Sequence, residues 1–379
     1  MSRGQDGAQR LSVALLSYST KPRGGVVHTL ALAEALAAAG QDVTVWTLGR
    51  GGDAGFFRPV DPAVRQRVVP FPDVPGETTG ARVLRSIAVL RDAFHRPDTP
   101  AYDIVHAQDC ISANAAGRCV RTVHHIDHFT TPELAACHER ALTAPYAHLC
   151  VSRAVAAELA AGWGIEAHVI PNGVAYERFA AAARDTAGQR RWREGLGRYV
   201  LTVGGIEPRK GSLDLLEAFA LLRARMPGPA GSPAVRLVVA GGETLFDYRD
   251  YRARWEARAA ELGAEPVVLG PVADDALPAL VAAAGAFAFP SVKEGFGLAA
   301  MEALAAGVPL VVRDLPVLRE VFGPAAGFAA TPAALADGLA RALAGPDPAR
   351  RAAGRELAAR HTWRAAAERH VAFYRTLSG

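Results

Sequence analysis

Between Phe289 and Gly307 the sequence reads FPSVKEGFGLAAMEALAAG, with Glu294 ahead of a Gly-Phe-Gly turn and Glu302 eight residues further on. Apolar residues recur at helical spacing after the turn, so a helix beginning near Phe296 is expected. The amides of Phe296, Gly297 and Leu298 would then lack intrahelical partners and be available to phosphate or sugar oxygens. At 1.5 Å per residue, Glu302 would lie at most roughly 12 Å from Glu294 along the axis. Two carboxylates flanking such a turn repel a bare phosphate but suit hydroxyl donors, which describes a sugar on one side and a ribose on the other. The chain has only three lysines, Lys21, Lys210 and Lys293, and each sits in a glycine-containing loop: STKPRGG, GGIEPRKG and SVKEGFG. Glycine lets backbone approach an anion, and Arg209 with Lys210 supplies countercharge, so a diphosphate is the natural ligand of the set.

These loops need strands and helices to hold them. LSVALLSY, the STKPRGG loop and VVHTLALAEALAAAG read as strand, turn and helix, with DVTVWTL as the next strand. That order implies parallel pairing in an open, doubly wound sheet. Residues 51–80, rich in Gly and Pro, fit neither helix nor strand and are taken as a surface excursion. ARVLRSIAVLRDAFHR reads as an amphipathic helix, and the short strands YDIVHAQ, RCVRTVHH and AHLCVS follow. The pattern then restarts with RYVLTVGG, IEPRKG and SLDLLEAFALLRARM, followed by further strand and helix pairs through VPLVV. With 379 residues, half of them hydrophobic, two domains can each bury a core. The expected division is an N-terminal domain over 1–171, a linker over 172–197 marked by PNG and no sustained period, and a C-terminal domain over 198–361. Open sheets of this kind bind ligands beyond the carboxyl ends of their strands, where all three lysine loops fall.

At this point the sequence resembles the retaining nucleotide-sugar glycosyltransferases of family four, whose GT-B fold sets two Rossmann-like parallel-sheet domains face to face across a cleft. The resemblance is carried by the E-x7-E pattern of Glu294 and Glu302 in PSVKEGFGLAAMEALAAG, and by LTVGGIEPRKG, VIPNGV, VLGPV, the N-terminal Gly-Gly loop and the closing TWRAAAERHVAFY, which together span most of the chain. It implies that Glu294 holds hydroxyls of the transferred sugar and Glu302 the ribose. The amides of Phe296, Gly297 and Leu298 would meet the donor's sugar and phosphate, and Arg209 and Lys210 would neutralise the leaving diphosphate. Gly24 and Gly25 would let the first loop approach the phosphates, and His124 would contact the sugar from the opposite wall. The last helix, 362–379, would pack back on the first domain. Two positions depart from the pattern: Gly205 stands where many members have arginine, and Ala175 where aspartate usually follows PNGV.

No D-x-D sequence occurs, which argues against a metal bridging the diphosphate, and no cofactor is expected beyond the nucleoside-diphosphate sugar as co-substrate. Side chains and amides would then stabilise the departing charge, with front-face displacement as the retaining mechanism. The cluster HHIDHF, with His124, His125, Asp127 and His128, is the rival signal. It resembles the zinc motif HxHxDH with Val123 in place of the first histidine, and it reads as a metal site, a structural or acceptor-side element, or a donor contact. Other classes are a non-catalytic nucleotide-sugar binding protein and an NAD-dependent sugar-nucleotide oxidoreductase or epimerase, although the first loop lacks GxGxxG. A net charge of +4 without a basic run argues against nucleic acid as a partner. Because related enzymes that glycosylate lipids use a basic helix in this domain, the resemblance leaves open a weak peripheral membrane contact for ARVLRSIAVLRDAFHR, whose arginines do not gather on one narrow face and also read as a solvated helix surface. Cys110, Cys119, Cys137 and Cys150, without metal-type spacing, read as reduced thiols, and with no spanning segment a cytoplasmic location is expected.

Overall fold

The computed structural model describes residues 10–127, 129, 131–226, 234–241, 248–345 and 347–377. The chain forms two compact units, one of Met1–Cys150, Leu159–Ile170 and Trp363–Gly379, the other of Val151–Glu158 and Pro171–Thr362. Each is a Rossmann-like parallel sheet covered by helices.

In the first unit the strands are β1 (Ser12–Leu16), β2 (Asp42–Arg50), β3 (Val64–Phe71), β4 (Ile104–Ala107), β5 (Val120–Val123), β6 (Ala147–Cys150) and β7 (His168–Val169). They pair in the order β3-β2-β1-β4-β5-β6-β7, all parallel. Because side chains alternate along a strand, β1 sends Val13 and Leu15 to one core and Ala14 and Leu16 to the other. Burial on both faces explains why the strand is apolar throughout. The helices of this part of the chain are α1 (Gly24–Ala38), α2 (Thr79–Phe94), α3 (Cys110–Ala116), α4 (Pro132–Thr143) and α5 (Arg153–Trp163), of which α5 begins in the other unit.

In the second unit α6 (Tyr176–Ala182) and α7 (Thr186–Leu196) precede β8 (Tyr199–Val203), α8 (Ser212–Arg225), β9 (Arg236–Ala240), α9 (Arg249–Glu261) and β10 (Val267–Gly270). Then come α10 (Leu277–Ala283), β11 (Ala286–Phe289), α11 (Leu298–Ala305), β12 (Leu310–Arg313), α12 (Pro316–Phe322), β13 (Gly327–Ala329), α13 (Pro332–Ala344) and α14 (Pro348–Arg360). The sheet order is β10-β9-β8-β11-β12-β13. In each sheet the order reverses once, between β1 and β4 and between β8 and β11, and the loops leaving those strands diverge to form a crevice at their carboxyl ends. The final helix, α15 (Trp363–Leu377), belongs to the first unit, where Ala367, Val371 and Tyr374 join Leu32 and Leu36 of α1 in one core.

Two expectations are corrected. Residues 51–80 are not only an excursion: β3 lies within them and pairs with β2 from Val64 to Phe71. It is an edge strand, so Arg65, Gln66 and Arg67 face water and Pro70 is tolerated, and the apolar alternation that betrays an inner strand is missing. Residues 172–197 are not a linker but α6 and α7, whose Phe179, Ala182 and Leu196 are buried in the core of the second unit. Their brevity and the arginine-rich surface of α7 hide the helical period. Among the described residues no helix is long and apolar enough to cross a membrane. In α2, Arg85 pairs with Glu77 and Arg91 with Asp92.

Ala175 is the N-cap of α6 and supplies no side-chain acceptor to the helix amides. Asp185, at a similar backbone angle before α7, accepts from Gly188 N at 3.0 Å. Ala175→Asp is therefore expected to stabilise the second unit by about 1 kcal/mol, seen as a melting-temperature rise of about 2–4 °C; an unchanged or lower value in calorimetry would count against the capping geometry.

Candidate active site

The loops leaving β8 and β11 are fastened to each other through backbone. Gly211 has φ +63°, and a Cβ there would lie 2.3 Å from the Pro290 carbonyl oxygen, so only glycine permits the approach. Val292 N donates to Arg209 O at 2.8 Å. Between these ties, Pro208–Lys210 form a single 3-10 turn that presents Arg209 and Lys210 beside the β11 loop.

Lys210 Nζ donates to Glu294 Oε1 at 2.5 Å, and Arg209 Nη1 reaches the same oxygen at 3.1 Å. Arg209 Nη2 also donates to Glu207 Oε1 at 3.1 Å. Two cations and two carboxylates thus form one nearly neutral, largely buried group, in which the Glu294 side chain is 10% exposed. The Lys210 ammonium lies 5.2 Å from the centre of the Phe289 ring, and its stem packs along Gly204. Arg209, Lys210 and Glu294 are therefore brought together, with the cations paired to acids. The other two lysines have other partners: Lys21 pairs with Asp53 at 2.9 Å and Lys293 approaches Glu158 at 3.7 Å. Beside the cluster, a cavity of about 10 Å³ is lined by Gly204, Gly205, Lys210 and Ser291, among others. The Ser291 hydroxyl is buried with no partner among the described residues.

Helix α11 starts at Leu298, two residues later than the sequence suggests. The reason is Gly297, the N-cap, held at φ +94° between the rings of Phe289 and Phe322, which a Cβ would meet at 3.1–3.2 Å. The amides of Gly297 and Leu298 stay outside the intrahelical ladder, as expected, joined by those of Ala299 and Ala300. The Phe296 amide falls one residue outside the helix, and its ring is buried beside His361.

Glu302 points into a different neighbourhood. Burial raises its carboxyl to about 8, opposed by Arg178 of α6 and reinforced by Asp274. Arg178 and Asp274 are themselves paired at 2.9 Å. At neutral pH Glu302 is thus mainly protonated, a donor as well as an acceptor, while Glu294 is the charged member of the pair.

In the first unit, α1 begins at Gly24, and a Cβ on Gly24 or Gly25 would meet nothing within 4 Å. Neither packing nor backbone conformation demands glycine at these two positions. His124 follows β5, stands edge-on to the ring of His28 at a centroid distance of 4.6 Å, and leaves Nε2 buried with no partner among the described residues. Burial, then the charge of Arg121, holds it neutral, well below the usual imidazole range. His125 pairs with Asp127 at 3.2 Å, while His128 lies outside the described residues. Among the described residues no three His, Cys, Asp or Glu gather as a metal centre requires.

Sequence reasoning missed Glu207 and the Arg178–Asp274 pair. Glu207 had a usable signal, an acid inside a glycine loop that already carries two cations. The other pair had none, because its members are 96 residues apart and meet only in the fold.

Residues 22–178 match the family described as Glycosyltransferase Family 4, and residues 189–359 the one described as Glycosyl transferases group 1. A phosphatidyl-myo-inositol mannosyltransferase of Mycolicibacterium smegmatis is 30% identical over 96% of this chain and 92% of its own. The chain belongs to the GT-B glycosyltransferases. A D-inositol 3-phosphate glycosyltransferase of Salinispora arenicola is 31% identical, over 79% of this chain and 75% of that one. Among solved structures, the sucrose-phosphate synthase of Thermosynechococcus elongatus is similar with a TM-score of 0.77, 21% identity and coverage of 97% and 99%. An Anabaena protein in complex with UDP and glucose has a TM-score of 0.70, 18% identity and coverage of 98% and 100%.

For this glycosyltransferase the Glu302 carboxyl has a thermodynamic consequence. A folded value near 8 against about 4.5 for an ordinary glutamate means the folded state keeps a proton that the unfolded chain releases. Its contribution to stability therefore declines as pH rises from about 4.5 to about 8. Glu302→Gln removes that decline, so the variant's melting temperature is expected to gain on the parent's steadily between pH 5 and pH 8. A difference that does not vary with pH would rule out a proton on Glu302.

Proposed function

We propose that this glycosyltransferase moves a sugar from a nucleoside-diphosphate donor to an acceptor hydroxyl with retention at the anomeric carbon, with side chains and backbone amides rather than a metal carrying the diphosphate charge. The observation that carries the reading is the contact of Lys210 and Arg209 with Glu294 at the crevice between β8 and β11, beside the amides that open α11.

The donor's diphosphate lies against the amides of Gly297 and Leu298, with Lys210 and Arg209 alongside, and Glu294 accepts hydrogen bonds from the sugar hydroxyls. Each hydroxyl that donates to Glu294 competes with Lys210 for the carboxylate, so sugar binding frees the ammonium for the phosphate. Glu302, mainly protonated, hydrogen-bonds the ribose hydroxyls without adding a negative charge near the diphosphate. In the first unit, the open space at Gly24 and Gly25 supports a close backbone approach to phosphate, and the neutral His124 supports a hydrogen bond to the sugar.

In the transfer itself the bond from the anomeric carbon to the phosphate oxygen breaks, and the acceptor oxygen bonds to the same face. The acceptor's proton passes to the departing phosphate oxygen. Lys210, Arg209 and the helix amides stabilise the developing diphosphate charge. One relative whose name prints GDP-mannose, others named as mannosyltransferases and a neighbour in complex with UDP-glucose support a donor panel of GDP-mannose, UDP-glucose and ADP-glucose.

The test is release of nucleoside diphosphate from that panel, with product anomer read by NMR. One donor is expected to turn over with retention. Lys210→Ala is expected to lower kcat about 10²–10³-fold, as loss of a charge-stabilising group does, and Glu294→Gln to raise KM for the same donor as well. Full activity in Lys210→Ala would defeat the assignment, as would a covalent glycosyl-enzyme trapped on a carboxylate.

A further inference from the structure

At the opposite end of the second sheet, where β12 and β13 begin, lies a cavity of about 260 Å³. Its apolar wall includes Leu304, Val308 and Leu310, and its polar wall is built by Arg341 of α13 and by Arg350 and Arg351 of α14. Arg355, one turn further along α14, reaches the same place: a Cβ on Gly307 would lie 2.7 Å from Arg355 Nε and 3.0 Å from Arg351 Nε. The two guanidinium groups therefore stand within about 6 Å of each other.

Three cations thus line the cavity and a fourth stands at its edge, against a single lining carboxylate, Asp347, which caps α14 by accepting from Ala349 N and Arg350 N and whose nearest cationic group is Arg350 Nε at 3.9 Å. The side chains of Arg341, Arg351 and Arg355 have no hydrogen bond or ion pair among the described residues. Several surface arginines elsewhere do have an acid beside them, as Arg252 with Glu256, Arg319 with Asp314, Arg360 with Glu356 and Arg364 with Glu368. Like charges this close repel, and an anion between them would relieve the repulsion and take several charge-assisted hydrogen bonds at once. The apolar wall leaves room for a carbon body beyond the charged head.

We propose that this cavity is a binding site for a small phosphomonoester, held by Arg341, Arg350, Arg351 and Arg355 and separate from the donor site. The Gly307 turn, at φ +71°, lets the guanidinium groups approach the backbone and keeps them converged. Helix α14 packs closely on α11, where a Cβ on Gly354 would lie 2.9 Å from Leu304 Cδ2.

The experiment is calorimetric titration of the intact protein with glycerol 3-phosphate and, separately, inorganic phosphate. Saturable binding is expected for both, tighter for glycerol 3-phosphate. The Arg351→Gln/Arg355→Gln double variant is expected to bind about tenfold or more weakly, as loss of charged hydrogen bonds implies, and Arg341→Gln to weaken binding on its own. Lys210→Gln, which removes a cation of the donor site, is expected to leave the affinity unchanged. Unchanged binding in both arginine variants, binding lost in Lys210→Gln, or no saturation by either ligand would overturn the proposal; so would equal affinity for phosphate and glycerol 3-phosphate, which assigns the site to free phosphate.

Discussion

The approach of Gly211 to the Pro290 carbonyl is the constraint on which the site depends. A left-handed residue without a Cβ lets the turn after β8 lie on the turn after β11, and the Arg209–Val292 backbone bond locks that register. Lys210 and Glu294, 84 positions apart in the chain, then meet at 2.5 Å. An alanine at position 211 would require the two turns to part, and the ion cluster, the cavity under Gly205 and the start of α11 would lose their common reference. Gly297 does the same on the other side, held at φ +94° by two phenyl rings so that α11 opens toward the cluster.

The sequence displayed these parts unevenly, for physical reasons. Inner strands such as β1 and β11 are buried on both faces, and their continuous apolar runs are easy to see. The edge strand β3 shows no clean alternation, since half of its residues face solvent, and its pairing is decided by β2 rather than by its own composition. Helices α6 and α7 are too short for a period to stand out, yet tertiary contacts hold them. For the site, the residue types and the loops were legible because a cation pair, a glycine turn and two spaced acids carry chemistry in their spacing. Partnership was not legible. That Glu207 would hold Arg209, and that Arg178 and Asp274 would flank Glu302, follows from contacts that no local pattern encodes.

Glu294 and Glu302 look alike in sequence and differ in environment. One sits among cations and is the anionic end of an ion cluster; the other is desolvated near an arginine that an aspartate already engages, and its carboxyl rises to about 8. Desolvation and neighbouring charge therefore assign opposite protonation states to the two acids of one motif. A neutral acid and an ionised one suit a ligand whose two ends present hydroxyl groups around a strongly anionic centre.

The cluster itself is a poor device for stability. Bringing Arg209, Lys210, Glu207 and Glu294 out of water costs several kcal/mol per ion before attraction returns any of it, and apolar side chains of similar size would serve a core better. Its worth lies in being close to neutral and easily redistributed. A free pair of cations would bind any small anion, whereas cations already satisfied by carboxylates yield to a diphosphate only when something else satisfies the carboxylates. In the proposed reaction the sugar does so, its hydroxyls taking over Glu294 as Lys210 turns to the phosphate. Recognition of the two halves of the donor is then one event, and a nucleotide without its sugar, or inorganic phosphate alone, meets a site whose positive charge is still engaged.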